Sequence, residues 1–283
     1  MAAQFEPFVS PCYRGYLNQP IDPKDEFIGN CQTQLDTEGC SVLKGFLTPE
    51  GIARVEQQTT AVAPKAYYKT RHTNCYDSAD DPSLPVDHPV RCFMERTQAF
   101  VAKDVIPQDD LIAQLYRNHE FQKFVATLLG RDQVFEYADP FGGLVVNVCQ
   151  PGATHPWHFD TNEFIVSMLT KKPEAGGVFE YCPNIRSPGA ENYDAVGKVL
   201  SGEDREQVRK LDLEVGDLQL FKGRFALHRV THVQGDRERL SAIFAYAEQP
   251  GMIAKPERAK TLFGKVDAKH LANATTRTDG LSD

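Results

Sequence analysis

Hydrophobic positions divide the chain into a first half with helical spacing and a second half with short strand-like segments. Thr48 is a capping residue directly before a proline, which predicts a helix from about Pro49 to Ala63. A second helical pattern begins at Asp109, and a third, capped by Asn118, ends at Gly130. In the third, apolar side chains recur at positions i, i+3, i+4 and i+7, namely Phe121, Phe124, Val125 and Leu128. This spacing predicts one apolar face that packs on a larger body.

After residue 130 the pattern changes to short runs of β-branched and aromatic residues separated by Gly, Pro and Asp. Eight runs lie between residues 134 and 247: VFEYA, LVVNVCQ, FIVSMLT, VFEYC, LDLEV, LQLFKG, FALHRVTHV and RLSAIFAYA. Such a series is typical of an antiparallel sandwich or barrel. One helical insertion, roughly Glu191 to Leu211, interrupts it, and the terminal 36 residues are expected to form short external helices with a loose polar tail.

The pattern therefore predicts an α+β fold in a single domain that spans residues 1–283. Residues 1–132 are expected to be mainly helical and to buttress the rest, residues 133–248 to form the β-core, and residues 249–283 to form the C-terminal helices and tail. Residues 76–89, YDSADDPSLPVDHP, are predicted to be a loop. Two roles stay open for this loop, a solvated connector and a lid over a site, because long loops in compact domains are often functional.

Composition narrows the function classes. The 283 residues are 41% hydrophobic and 25% charged, as in ordinary globular proteins, and the net charge of −8 disfavours a general nucleic-acid binder. Seven cysteines without a CxxC pair indicate free thiols in a reducing compartment. Neither a signal peptide nor a run of about 18 apolar residues is visible. We therefore expect a cytoplasmic protein without nucleic-acid or membrane partners, and a homodimer is left open.

The candidate chemistry lies in the β-rich half, at His158-Phe159-Asp160. Residues two apart on an extended strand point the same way, so the imidazole of His158 and the carboxylate of Asp160 are expected to face one side. His228, on a later predicted strand, can supply a third ligand. Two histidines and one carboxylate on one face are the ligand set of non-heme Fe(II) oxygenases. Taken alone, H-x-D is weak, since a hydrogen-bonded structural pair has the same pattern.

A candidate anion site follows the third ligand. Arg239 lies eleven residues after His228, and Ser241 shares its strand face, so the guanidinium and the hydroxyl can bind one carboxylate together. The intervening Gln234-Gly235-Asp236 is a predicted turn, which places His228 and Arg239 on adjacent hairpin strands.

These segments resemble a known family. HPWHFDTNEF and FKGRFALHRVTHVQGDRERLSAIFAY are similar to the Fe(II)/2-oxoglutarate-dependent oxygenases, whose motif is H-x-D, a distal H and then R-x-S. The run from about Arg91 to Tyr246 more narrowly resembles the branch that contains free-amino-acid radical halogenases and related amino-acid hydroxylases. The segments concerned are ERTQAFVAKDVIP, YADPFGGLVVNV, HPWHFD, AGGVFEYCPNIRS and GDLQLFKGRFALHRVT.

The resemblance implies a double-stranded β-helix, a jelly-roll barrel related to cupins, with Fe(II) bound by His158, Asp160 and His228. It also implies 2-oxoglutarate and O2 as cosubstrates, release of succinate and CO2, and stimulation by ascorbate. Three protein ligands leave three positions on the metal, two for 2-oxoglutarate and one for O2. The far carboxylate of 2-oxoglutarate is expected to pair with Arg239, assisted by Ser241.

Asp160 separates two outcomes. In the halogenases of this branch the equivalent position is small, usually glycine, which opens a coordination site for chloride. Here an aspartate stands at that position, so the resemblance implies hydroxylation of an unactivated C–H bond. The expected substrate is a small polar molecule, a free amino acid above all, although the compound and the carbon oxidised are not predicted.

Three further residues have candidate roles in binding, and structural roles are also considered. Asn147 on LVVNVCQ can bond to the cosubstrate, or can be a strand residue satisfied by backbone. His155 matches a histidine near the substrate in the amino-acid enzymes. Arg96 matches by position a carboxylate-binding arginine of those relatives, and the alternative is a surface arginine on a helix. We assign His155 and Arg96 to substrate binding.

The same residues are compatible with two other functions. A cupin-type metal isomerase or dioxygenase without 2-oxoglutarate would account for the spacing of Gly152, His158 and Glu163, and for that of Gly216, Gly223 and His228. It has no need of the Arg-Leu-Ser segment at 239–241, which distinguishes the two. A barrel that binds a small molecule without turnover is disfavoured, because an intact ligand triad has little purpose there.

Overall fold

The structure is a computed structural model and describes residues 5–22 and 24–282. Its α-helices are α1 (Pro11–Asn18), α2 (Glu26–Glu38), α3 (Pro49–Val62), α4 (Leu111–Arg117), α5 (His119–Leu128), α6 (Tyr193–Ser201), α7 (Pro256–Phe263) and α8 (Ala268–Asn273). The strands of the first half are β1 (Cys40–Leu43), β2 (Arg71–Thr73), β3 (Met94–Arg96) and β4 (Ala99–Val101). Those of the second half are β5 (Phe135–Glu136), β6 (Leu144–Cys149), β7 (His155–His158), β8 (Ile165–Lys171), β9 (Ala175–Gly176), β10 (Phe179–Cys182), β11 (Arg209–Leu211), β12 (Leu218–Phe221), β13 (Leu227–Val230), β14 (Val233–Gln234), β15 (Arg239–Phe244) and β16 (Tyr246–Ala247).

Two antiparallel sheets form the β-core. The larger has six strands in the order β1-β12-β8-β15-β6-β4, and the smaller has four in the order β11-β10-β13-β7. Side chains of both sheets line one cavity, and rings of the two sheets meet there: Phe221 of the larger sheet lies 4.8 Å from the His228 ring and 5.1 Å from the Phe179 ring, between centroids. The two sheets therefore enclose the cavity between them.

The alternation of side chains along β15 explains why the larger sheet is covered on both faces. Leu240, Ala242 and Phe244 belong to the main hydrophobic core together with residues of the N-terminal helices. Arg239 and Ser241, on the opposite face, line the cavity. Burial of the outward apolar row against the helices thus fixes which side chains point inward, because a shift of register by one residue would exchange the two faces.

The helices of the first half form where their capping residues predict them. The Thr48 hydroxyl accepts a hydrogen bond from Gly51 N at the start of α3, and the Asn118 side chain accepts one from Phe121 N at the start of α5. The apolar face of α5 is fully buried in the main core. Residues 76–89 contain turns and bends without a strand or α-helix, as predicted for a loop.

Several local predictions were wrong. The strand expected at LDLEV lies earlier, at Arg209–Leu211, and the helical insertion ends at Ser201 instead of near residue 211. The strands β2, β3 and β4 are among those that were not predicted, because three residues are too few to display a period of two.

The C-terminal tail is not loose in the described residues up to 282. Arg224, whose side chain is fully buried, donates to both carboxylate oxygens of Asp279, which lowers the pKa of that carboxyl to about 2. Gly189 N also donates to Asp279 O. The polar composition of the tail concealed this anchoring, since the partner residues are distant in sequence.

The seven cysteines are free thiols in the structure, as the sequence predicts. None of the helices formed by residues 5–22 and 24–282 has the length and apolar character that crossing a membrane requires.

Candidate active site

The three predicted metal ligands come together at the cavity between the sheets. The candidate donor atoms of His158, Asp160 and His228 all lie within 4.8 Å of one another. His158 Nε2 is 3.8 Å from Asp160 Oδ1, and His228 Nε2 is 3.4 Å from Asp160 Oδ2. Among the described residues this is the one group of three or more such side chains arranged to hold a metal ion.

Backbone carbonyls orient both imidazoles of the triad. His158 Nδ1 lies 2.8 Å from Pro156 O, and His228 Nδ1 lies 2.9 Å from Ala226 O. A proton on each Nδ1 donates to the carbonyl, which leaves the Nε2 lone pair facing Asp160. Such hydrogen bonds fix tautomer and ring orientation in metal-binding histidines, so the donor set is preorganised.

The charge states of the triad also suit a metal. Burial, together with the neighbouring His228, lowers the pKa of His158 well below its usual value. Burial raises the pKa of the Asp160 carboxyl, but His228 and His158 outweigh that effect and hold it at about 2. Near neutral pH one imidazole is therefore neutral and the carboxylate is ionised, the forms that coordinate metals.

Two details of the predicted geometry were wrong. β7 ends at His158, so Asp160 lies beyond the strand, where its N–H donates to Gly223 O at 3.1 Å. β13 and β15 are not hairpin partners: β13 belongs to the four-stranded sheet and β15 to the six-stranded sheet. His228 instead pairs directly with His158 across β13 and β7, which brings the two ligands together.

Gly223 leaves the space that the Asp160 carboxylate occupies. A Cβ atom at position 223 would lie 1.9 Å from Asp160 Oδ2 and 2.7 Å from its Cγ. Gly223 thus acts twice on Asp160, because its carbonyl also accepts the Asp160 N–H. Any side chain at this position must displace the carboxylate from the triad.

We expect Gly223→Ala to weaken binding of Mn²⁺ by about 10- to 100-fold, the range found when groups that position metal ligands are altered. Calorimetric titration of the metal-free protein with Mn²⁺ measures the change. Gly15→Ala is the matched control, since an added Cβ there meets nothing within 4 Å. Equal affinities in the two variants would mean that Gly223 does not position Asp160.

An anion-binding group lies deeper in the same cavity. Arg239 is 5% exposed, and its Nη1 donates to Ser241 Oγ at 2.7 Å. No carboxylate of the described residues lies within ion-pair distance of this guanidinium, and burial lowers its pKa. A buried charge without a counter-ion is costly, so the site calls for an anionic ligand.

Asn147 provides a second unsatisfied donor beside Arg239. It lies on β6 opposite Ser241 of β15, and its side-chain amide is buried, with Nδ2 lacking any partner. The sequence left a backbone-satisfied alternative open for this residue, and the orphaned Nδ2 disfavours it. A carboxylate bound at Arg239, Ser241 and Asn147, with a chelating group toward the triad, satisfies these groups. The residues present therefore fit Fe(II) and 2-oxoglutarate.

Arg96 and His155 also line the cavity. Arg96 lies on β3 and is buried, not on a surface helix, and burial together with Arg71 lowers its pKa to about 9. The His155 ring stacks on the ligand ring of His158, with 3.6 Å between centroids. Burial and the neighbouring His158 lower the pKa of His155 well below its usual value.

Sequence reasoning missed Gln98, which joins these two side chains. With its amide oxygen turned toward the donors, Gln98 accepts hydrogen bonds from Arg96 Nε at 2.5 Å, Arg96 Nη2 at 2.8 Å and His155 Nε2 at 3.0 Å. A lone glutamine in a loop carries no sequence signal, and only the proximity of β3 and β7 reveals its contacts.

Arg258 at the cavity mouth was also missed. It lies on α7 and forms an ion pair of 3.6 Å with Asp77, which Arg71 contacts at 3.0 Å. Asp77 belongs to the loop of residues 76–89, so this loop is attached at the mouth. In the sequence, Arg258 is one of several charged residues in a short helix, and nothing distinguishes it from them.

Comparison with known proteins agrees with this geometry. Residues 87–261 match the model of the family described as Halogenase D, which covers the candidate ligands and Arg239. None of the curated protein sequences matches the chain.

Three solved structures illustrate which proteins have a similar backbone. An oxidoreductase of the 2OG-Fe(II) oxygenase family from Burkholderia pseudomallei is 14% identical, with 78% of this chain and 91% of that chain covered and a TM-score of 0.51. The non-heme alpha ketoglutarate dependent carbocyclase SnoK from nogalamycin biosynthesis is 11% identical and has a TM-score of 0.54. The match covers 81% of this chain and 87% of that chain. The epimerase SnoN in complex with Fe3+, alpha ketoglutarate and nogalamycin RO is 13% identical and has a TM-score of 0.54. The match covers 80% of this chain and 84% of that chain. At such identities the likeness shows a shared fold.

Proposed function

The chain belongs to the Halogenase D family and is an oxygenase that uses Fe(II) and 2-oxoglutarate, and we propose that it hydroxylates an unactivated C–H bond of a small polar molecule, a free amino acid above all. One oxygen atom of O2 enters the product as C–OH, and 2-oxoglutarate leaves as succinate and CO2. We place this activity in a single domain whose two sheets are the halves of a double-stranded β-helix.

The observation that supports hydroxylation is the carboxylate of Asp160 within the triad. It lies between the two imidazoles, 3.8 Å from His158 Nε2 and 3.4 Å from His228 Nε2. With this carboxylate as the third protein ligand, the coordination position that a halide would need is filled. The family description alone suggests a halogenase, and Asp160 is the reason to assign a different outcome to this chain.

Each group around the triad has a distinct task in this proposal. His158, Asp160 and His228 would hold Fe(II), and Arg239, Ser241 and Asn147 would hold 2-oxoglutarate. When bound, the pair would activate O2, which is the oxidant for breaking the C–H bond. The stack of His155 on His158 closes one side of the site, and Gln98 fixes His155 and Arg96 relative to each other.

Arg96 is the expected partner of the substrate carboxylate. Its guanidinium remains charged near neutral pH, lines the cavity and lacks a carboxylate within ion-pair distance among the described residues. This contact would position the reacting carbon. Binding of the substrate carboxylate at Arg96 would therefore increase the turnover rate as well as the affinity for the substrate.

The proposal is tested by the mass of the product in a chloride-rich buffer. A screen of amino acids for succinate release, with Fe(II), ascorbate and 2-oxoglutarate present, identifies a turned-over compound. We expect its product to gain 16 mass units and to show no chlorine isotope pattern, because Asp160 fills the position that chloride requires. A chlorinated product from the wild-type protein would refute the assignment.

Asp160→Gly extends this test. The substitution frees one coordination position, so chloride can enter. We expect the variant to be poorly active, because it lacks one of the three side chains that would hold Fe(II). Hydroxylation at the wild-type rate by this variant would show that Asp160 does not determine the outcome.

A further inference from the structure

The part of the cavity beside the triad that faces away from Arg239 is apolar. It is lined by one hydrophobic cluster, which we call the apolar wall: Phe100, Val145, Ile243, Ala259, Leu262 and Phe263. We propose that the substrate carries an uncharged hydrocarbon side chain, which packs against this wall while its carboxylate binds Arg96. This inference rests on the proposed function, since it specifies the substrate of the same site.

The apolar wall begins one ring away from the metal ligands. The His155 ring stacks on His158, the Phe100 ring lies 6.2 Å from His155, and the Phe263 ring lies 6.4 Å from Phe100, between centroids. A side chain that packs along Phe100 and Phe263 therefore extends past the triad. This arrangement places carbon atoms within reach of the reaction centre.

The wall and the candidate carboxylate site are adjacent. The guanidinium carbon of Arg96 lies 5.9 Å from the centre of the Phe100 ring. A small amphipathic acid can thus pair its carboxylate with Arg96 while its hydrocarbon chain packs on Phe100.

The larger sheet changes from polar to apolar on its β6 side. Along the inner face of β15, Arg239 and Ser241 give way to Ile243, which is opposite Val145 of β6 on one side and Ser167 of β8 on the other. The polar end suits 2-oxoglutarate, and the apolar end suits a second ligand of different chemistry. One strand thereby separates the cosubstrate from the substrate side chain.

The two acids that line the cavity are already engaged and offer no free acceptor position to a basic side chain. Among the described residues that line it, the acids are Asp139 and Asp160. Asp139 is 1% exposed, and its oxygens already accept from Phe141 N, Gly142 N, Ala254 N and His270 Nε2. Asp160 belongs to the triad. A side-chain ammonium packed along the apolar wall would be buried without a direct hydrogen bond to either carboxylate, which is costly. The α-ammonium is common to L-norleucine and L-lysine and does not distinguish them.

A further charged residue that lines the cavity, Arg258, is positive. Arg258 lines the cavity from α7, and its side chain is 27% exposed. Together with Arg96 it makes the mouth electropositive, with Asp77 as the one acid in contact. These charges attract a carboxylate and repel a net positive charge, so they disfavour L-lysine, which has one ammonium more than L-norleucine, on approach as well as when bound.

The test compares L-norleucine with L-lysine, which have the same carbon skeleton and differ by the terminal amino group. Calorimetric titration is carried out without O2 on the full chain loaded with Fe(II) and 2-oxoglutarate. We expect L-norleucine to bind at least tens-fold more tightly than L-lysine. Equal or tighter binding of L-lysine, or binding of neither amino acid, would overturn the inference.

A variant locates the side chain on the wall. Ile243→Asp places a carboxylate opposite Val145, so we expect it to reverse the preference toward L-lysine, whereas Ile243→Val, the matched control, keeps it. A folded Ile243→Asp protein with the wild-type preference would place the substrate elsewhere. If that variant does not fold, the comparison on the wild-type protein still decides.

A titration of 2-oxoglutarate into the same Fe(II)-loaded protein separates this inference from the proposed function. Absence of 2-oxoglutarate binding would contradict the proposed function itself. Normal binding of 2-oxoglutarate together with a preference for L-lysine would contradict the apolar side chain alone.

Discussion

Alanine at any one of His158, Asp160 and His228 is expected to reduce succinate release by about 10³-fold or more, since residues that act as one unit fail together. The three donor atoms lie within 4.8 Å of one another, and loss of one leaves an incomplete ligand set. Titration with Mn²⁺ should show a matching loss of metal binding in each variant. The binding readout separates a lost ligand from a lost substrate contact.

His232→Ala is the matched control for these variants. His232 lies four residues after His228 but is exposed and does not line the cavity. We expect it to retain both metal binding and turnover. Wild-type metal affinity in any of the three triad variants would remove that residue from the ligand set.

Two of the three triad residues, His158 and Asp160, have a local signal in the sequence, whereas the full set with His228 follows from the resemblance to the Fe(II)/2-oxoglutarate-dependent oxygenases. Although β7 ends at His158, the side chains of His158 and Asp160 still face the same cavity, as their two-residue spacing predicts. The helices α3 and α5 could also be predicted from the sequence, because their capping side chains bond to backbone groups within three residues. Patterns of this kind need no knowledge of the rest of the fold.

The sheet to which a strand belongs cannot be predicted in the same way. The turn at Gln234-Gly235-Asp236 is consistent with a hairpin, yet β14 pairs with β9, and the chain then crosses to the other sheet at β15. Period two specifies which side chains share a face and leaves the partner strand unspecified. The prediction that His228 and Arg239 lie on paired strands was wrong for this reason.

Long-range contacts also explain what was missed in the site. Gln98 bonds to His155, and Gly223 leaves room for Asp160, across 57 and 63 positions of the chain respectively. Neither residue type stands out in its own segment. Burial of Arg96 is similar, because β3 has three residues and shows no alternation from which an inward direction could be predicted.

Arg239 was predicted from spacing, and its surroundings now give the prediction a magnitude. The guanidinium is 5% exposed, and Ser241 is the neutral partner that its Nη1 contacts, so a bound carboxylate would be its main counter-charge. Removing one member of a desolvated charge pair costs about 2–5 kcal/mol. Such a cost corresponds to a change in affinity of about 30-fold at the lower end and several thousand-fold at the upper end.

We therefore expect Arg239→Ala to raise the KM for 2-oxoglutarate at least tens-fold, measured by succinate release at saturating substrate. Arg239→Lys should recover part of the affinity, because an ammonium supplies the charge but not the paired donors of a guanidinium. Arg237→Ala is the control: this arginine precedes β15 by two residues and is exposed. An unchanged KM in Arg239→Ala, with a raised KM in Arg237→Ala, would move the anion site to the rim.

Since Asn147 Nδ2 and Ser241 Oγ remain in Arg239→Ala, residual binding of 2-oxoglutarate should persist, and the additional change Asn147→Ala should reduce it further.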